Sequence, residues 1–152
     1  MKKRILILDD KETIAKVLSI YLMAEYDCIW LQDGVQGMKW LQEGNLPDLI
    51  ISDIRMPGLS GLELLQKLNE RKIGTKVIFV SGYSEFEYAR EAVRGGALDY
   101  LVKPIEMNRF LKAVNKAIAY HKLLLSETAE RVEEIQEEYI FIKSERRYIK
   151  IN

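Results

Sequence analysis

Several short apolar runs in this chain end in residues able to do chemistry. Asp48-Leu49-Ile50-Ile51-Ser52-Asp53 ends in a carboxylate and passes at once into Ile54-Arg55-Met56-Pro57-Gly58. Ile5-Leu6-Ile7-Leu8 ends in the pair Asp9-Asp10, Val77-Ile78-Phe79-Val80 in Ser81-Gly82, and Leu98-Asp99-Tyr100-Leu101-Val102 in Lys103-Pro104. Near-continuous branched apolar runs are what strands buried on both faces of a parallel sheet require. In such sheets the C-terminal strand ends gather around one crevice. Three carboxylates gathered there repel one another unless they share a cation. Oxygen ligands with room for water suit Mg²⁺, a hard ion that takes carboxylates together with a substrate phosphate. Lys103 adds a positive point charge for phosphate oxygens and Ser81 a hydroxyl donor. Together these groups equip a carboxylate, Asp53, to attack phosphorus.

Taken singly, each residue has a plainer use. Asp10 suits the N-cap of a helix starting at Lys11-Glu12. Lys103 alone reads as a solvated lysine and Ser81 as a turn residue before Gly82. Asp53 is harder to dismiss, because a carboxylate behind Leu49-Ile50-Ile51 must be paired or metal-bound if buried.

The elements that would position these groups alternate along the chain. Strands are expected at Arg4–Leu8, Cys28–Leu31, Leu49–Asp53, Lys76–Ser81 and Leu98–Val102. Helical spacing joins Ile14, Val17, Leu18, Tyr21 and Leu22, and again Leu62, Leu65 and Leu68. Asp33-Gly34 and Gly95-Gly96 mark turns, and Gly74 separates a helix from the fourth strand. Strand-helix units in series give an α/β fold, with a doubly wound five-stranded parallel sheet and right-handed crossovers. The flavodoxin-like strand order 2-1-3-4-5 is the natural choice. An extended C-terminal helix begins near Glu106 and meets no breaker until about Tyr139. Leu111, Val114, Ile118, Leu125, Val132 and Ile135 follow a seven-residue repeat broken at His121 and Thr128. Its first half should cover the sheet, and residues 121–138 read either as a short coiled coil or as a solvated helical linker. Residues 139–152 read as a β-hairpin, a unit marginal in water by itself.

Composition bounds the rest. The chain has 152 residues, 48% of them hydrophobic, and its 23 basic and 23 acidic residues balance. That balance does not call for nucleic acid or an acidic membrane surface. The apolar run after Met1-Lys2-Lys3-Arg4 is too short for a signal peptide, and no stretch nears the ~18 apolar residues of a membrane span. Cys28 is the single cysteine, so no internal disulfide can form and a cytoplasmic setting fits. Cys28, Trp30 and Trp40 are expected to pack, and His121 to lie on a helix surface or seam.

Ile7-Leu8-Asp9-Asp10, the run from Asp48 to Gly58, Ser81-Gly82-Tyr83 and Gly96-Ala97-Leu98-Asp99-Tyr100-Leu101-Val102-Lys103-Pro104 together resemble the receiver domain of bacterial two-component response regulators over residues 1–120. The resemblance implies that Asp53 accepts a phosphoryl group from a sensor histidine kinase. It implies Mg²⁺ ligation by Asp10, Asp53 and the Arg55 backbone carbonyl, with Asp9 acting partly through water. Lys103 would pair with the phosphate, Ser81 would swing to it, and Tyr100 would rotate inward. The Lys103–Pro104 bond would be cis, and the surface formed by the fourth helix, fifth strand and fifth helix would change to favour a homodimer. Such a protein is not an enzyme acting on an external substrate; it catalyses only its own phosphoryl transfer and dephosphorylation. Arg55 and Tyr83, two residues beyond Asp53 and Ser81, would modulate phosphate lifetime.

The tail, Glu138-Tyr139-Ile140-Phe141-Ile142-Lys143-Ser144 with Tyr148-Ile149-Lys150-Ile151, is similar to the opening strands of LytTR-type DNA-binding domains. The DNA-contacting remainder of such a domain is absent here. DNA binding is thus expected only through an output domain outside this chain, which reads as a piece of a longer transcription regulator. The stretch Ser81–Arg90 resembles receivers joined to other helical DNA-binding outputs, so the class of output stays open. A stand-alone phosphorelay receiver is the alternative within this family. A haloacid dehalogenase-like phosphatase would need an acid two residues after the nucleophile, where this chain has Arg55. A flavin or nucleotide carrier would need a glycine-rich first turn, where this chain has Asp9-Asp10-Lys11-Glu12.

Overall fold

Strand β1 (Lys3–Leu8) is followed by helix α1 (Glu12–Leu22), β2 (Tyr26–Leu31), α2 (Gly34–Gln42) and β3 (Leu49–Ser52). Then come α3 (Gly61–Glu70), β4 (Val77–Ser81), α4 (Phe86–Arg94), β5 (Asp99–Val102) and α5 (Met107–Ser126). The computed structural model describes residues 2–82 and 86–126. All strand pairings are parallel, in the order β2-β1-β3-β4-β5. The doubly wound order expected from the sequence is therefore the one found. Residues 1–118 form one unit and 119–152 a second; the sheet and the site lie in the first. The expected coiled coil beyond residue 126 and the hairpin lie outside the described residues. Among the described residues no helix is long and apolar enough to cross a membrane.

Two apolar layers flank the sheet because side chains alternate along each strand. Ile5, Ile7, Leu49, Ile51, Ile78 and Val80 face α1 and α5, whereas Leu6, Leu8, Ile50, Val77 and Phe79 face α2, α3 and α4. The helix faces differ in detail from the sequence expectation. On α1 the buried residues are Ala15, Leu18 and Leu22, while Val17 and Tyr21 stand 40% and 51% exposed. A small side chain at 15 lets the helix approach the sheet on a face rotated from the one its larger residues suggest. On α5 the buried positions are Phe110, Val114, Ala117 and Ile118; Val114 and Ile118 belong to the expected repeat, and Phe110 and Ala117 widen the buried face beside it.

Helix starts are set by local chemistry. The Asp33 side chain accepts from Gln36 N–H at 2.8 Å, so Asp33-Gly34 opens α2 rather than forming an isolated turn. Ser60 and Glu63 form a reciprocal capping box at the start of α3, each bond 3.1 Å. Glu106 accepts from Asn108 and Arg109 N–H at 3.0 and 2.9 Å and opens α5. Asp10 caps nothing: Lys11 holds the N-cap position of α1 without a side-chain bond, which removes the plainer use of Asp10.

Candidate functional site

The parallel ladder runs one residue past its strands and fixes the functional backbone. Asp9 N–H donates to Leu31 O at 3.3 Å, Asp53 N–H to Leu8 O at 2.9 Å, and Lys103 N–H to Ser81 O at 2.7 Å. Leu8 lies opposite Ser52, and Ser81 opposite Val102. The residues that follow Leu8, Ser52 and Val102 thus leave the sheet along one edge, on three different strands. The Lys103–Pro104 bond is cis, as the resemblance implied.

At that edge Asp9, Asp10 and Asp53 each offer a carboxylate oxygen, and the three oxygens lie within 4.8 Å of one another. Asp9 is 2% and Asp53 8% exposed, while Asp10 faces solvent. Lys103 Nζ stands 3.2 Å from Asp9 Oδ2 and 3.3 Å from Asp53 Oδ2. Asp9 Oδ1 accepts from Lys11 N–H at 2.9 Å and Asp53 Oδ1 from Ile54 N–H at 2.7 Å. Within this group of three carboxylates the one ammonium pairs with two, Asp9 and Asp53. Burial pushes the Asp53 carboxyl above its ordinary value; Lys103 pulls it back, and Asp9 pushes it further up. The donor set is all oxygen, clustered and negative in excess, which fits a hard dication such as Mg²⁺.

Ser81 is fully buried at the end of β4, and its carbonyl holds the Lys103 backbone. Tyr100 is half-buried on β5, opposite Phe79 in register, with ring centroids 6.4 Å apart. Arg55 leaves the β3–α3 loop exposed and donates to the Tyr88 hydroxyl of α4 through Nε at 3.1 Å and Nη2 at 2.8 Å. Tyr83 lies outside the described residues.

Three contributors escaped the sequence reading. Trp30, expected only to pack, donates its indole N–H to the Asp9 carbonyl at 2.8 Å and so anchors the first acidic loop. Gly61 has no room for a side chain: a Cβ there would come within 2.3 Å of the Asp53 carbonyl and 2.7 Å of the Phe79 ring. Its N–H donates to Ile54 O at 2.7 Å, which pins the loop that follows Asp53. Tyr88 is the third. The glycine directly after a capping serine was a visible signal; the Trp30 and Tyr88 contacts span 21 and 33 residues and left none.

Comparison with known proteins accords with this geometry. Residues 5–115 match the family model of the response regulator receiver domain. The chain is 33% identical over 122 residues to the C4-dicarboxylate transport transcriptional regulatory protein DctD of Pseudomonas aeruginosa, covering 80% of this chain and 26% of that protein. It is 33% identical over 117 residues to the DNA-binding transcriptional regulator NtrC of Escherichia coli, covering 76% and 25% respectively. The chain thus spans about a quarter of the length of these curated relatives. A receiver domain structure from Clostridium thermocellum superposes with a TM-score of 0.73 at 29% identity, over 80% of this chain and 98% of that one.

Proposed function

The chain belongs to the response regulator receiver domain family, and on that premise we propose that it is the phosphorylation-dependent switch of a response regulator, with Asp53 as phosphoacceptor. The observation that carries this reading is the mostly buried Asp53 carboxylate, held 3.3 Å from Lys103 beside two further carboxylates at one sheet edge.

An Asp53 carboxylate oxygen forms the new bond to phosphorus while the bond from phosphorus to the donor breaks, a phosphohistidine nitrogen in a sensor kinase or the acetate oxygen of acetyl phosphate. The product is an acyl phosphate on Asp53, and the leaving group carries away the electron pair. Asp10, Asp53 and the Arg55 carbonyl would hold Mg²⁺, with Asp9 acting partly through water, and the ion would supply charge neutralisation for an incoming dianion. Lys103 holds the phosphoryl oxygens on the opposite side. Ser81, at the end of β4, donates its hydroxyl to the phosphoryl group, and Tyr100 turns inward as Ser81 moves. Arg55 and Tyr83 modulate the approach of hydrolytic water.

The phosphoryl group adds about −1.5 to −2 charge. Its preference for the conformer that directs Ser81 and Lys103 toward it must reach about 5.5 kcal/mol to carry the switch from mostly off to mostly on. The partners of this reading are a sensor histidine kinase, a second copy of the phosphorylated chain, and DNA through an output domain beyond this segment. The setting is cytoplasmic, in keeping with the free thiol of Cys28.

Incubation with acetyl phosphate tests the reading directly. A Mg²⁺-dependent, hydroxylamine-labile phosphoryl adduct is expected on the wild-type chain. Folded protein that takes up no phosphoryl group from acetyl phosphate or from a phosphorylated kinase would mean a receiver that works only as a fixed interaction module.

A further inference from the structure

The Arg55 guanidinium is already engaged before any phosphate arrives. It bonds the Tyr88 hydroxyl with two nitrogens, and its Cζ sits 5.5 Å from the centre of the same ring. Arg55 lies two residues beyond Asp53 on the β3–α3 loop, and Tyr88 lies on α4. Tyr88 is half-buried and packs on the apolar cluster that also holds Met56 and Phe79 and supports Tyr100. The Tyr88 ring is thus partly packed, whereas the Arg55 guanidinium is exposed at the end of a long side chain and can exchange the hydroxyl for a stronger acceptor. Hydrogen bonds from a cation to an anion are stronger and shorter than those to a neutral hydroxyl. A phosphoryl group on Asp53 would add a dianion within the same loop.

We propose that Arg55 and Tyr88 form a latch in which the Tyr88 hydroxyl holds the guanidinium on α4 and competes for it with the phosphoryl group at Asp53. This rests on Asp53 being the phosphoacceptor. Tyr88 is then a positioning residue: it sets how much of the time Arg55 is available to attract an anionic donor and to shield the acyl phosphate from water. Phosphorylation in turn withdraws Arg55 from α4 and removes a tie between that helix and the acidic loop. This tie is separate from the coupled movement of Ser81 and Tyr100.

Tyr88→Phe keeps the ring and its packing and deletes only the hydroxyl, so the fold should be retained. With the hydroxyl no longer competing for it, Arg55 should lower the KM for acetyl phosphate by about threefold while leaving the maximal rate unchanged, and lengthen the phosphoryl lifetime by a similar factor. Added salt should shrink the KM effect, since the freed charge acts through solvent. In an Arg55→Ala background the Tyr88→Phe substitution should do nothing to either quantity. A merely structural Tyr88 would give the same change whether or not Arg55 is present, and that outcome would overturn the latch. So would a Tyr88→Phe protein with wild-type KM and lifetime. Wild-type protein that forms no adduct at all would sink the phosphoacceptor reading and the latch with it, whereas an adduct insensitive to Tyr88→Phe sinks the latch alone.

Discussion

Asp53 should be a residue that costs the fold stability in the absence of metal. At an effective dielectric near 20, Asp9, within 4.8 Å, opposes the Asp53 charge by about 3.5 kcal/mol or more, and Lys103 at 3.3 Å favours it by about 5 kcal/mol. Asp10 adds a further repulsion, weakened by its exposure. The charges thus roughly cancel, and the hydrogen bond from Ile54 N–H offsets only part of the desolvation of a carboxylate that is only 8% exposed. Asp53→Asn removes that charge and keeps an oxygen able to accept from Ile54 N–H. In metal-free buffer at neutral pH it should raise the unfolding free energy by about 1–3 kcal/mol, moving the urea midpoint up by about 1 M. The sign with pH follows from burial raising the Asp53 pKa. The folded chain binds this proton more tightly than the unfolded chain, so wild-type stability falls as pH rises from the ordinary carboxylate range through the raised value. The advantage of Asn therefore vanishes in acid and is full above that window. Mg²⁺ should narrow the gap at neutral pH, because it binds the folded wild type. Equal or lower stability of Asp53→Asn at neutral pH without metal would refute the reasoning.

Three further outcomes are expected. Gly61→Ala should lower stability by about 2–3 kcal/mol in urea unfolding, because its Cβ would meet the Asp53 carbonyl at 2.3 Å; a change below about 0.5 kcal/mol would show that the loop yields freely. Ser60→Ala should cost about 1 kcal/mol through loss of the α3 capping box, and an unchanged urea midpoint would count against that box. Because the Trp30 indole bonds the Asp9 carbonyl, Mg²⁺ should change the fluorescence of a Trp40→Phe protein saturably; a flat titration would separate Trp30 from the acidic site.

The strands and their order were legible because buried parallel strands demand continuous apolar runs, and these were punctuated by Pro57-Gly58, Gly74 and Gly95-Gly96. The acidic edge was legible for the same reason, since Asp9, Asp53 and Lys103 each follow such a run directly. Helix faces were less so. Val17 and Tyr21 match helical spacing as well as Ala15 does, and only the distance of approach to the sheet decides which side is buried. Phe110 was missed because the repeat was started at Leu111, whereas the face packed on the sheet also includes its neighbour Phe110. The Trp30, Gly61 and Tyr88 roles depend on which strands and loops become neighbours, and no local pattern encodes that.

The most direct test of Asp53 as phosphoacceptor is to reduce the acetyl phosphate-treated chain with borohydride and sequence its peptides by mass spectrometry. Reduction of an aspartyl phosphate leaves homoserine in place of the modified aspartate. Homoserine at position 53, dependent on Mg²⁺ during phosphorylation, is the predicted result. Homoserine at position 9 or 10 instead, or at none of the three on folded protein, would contradict it.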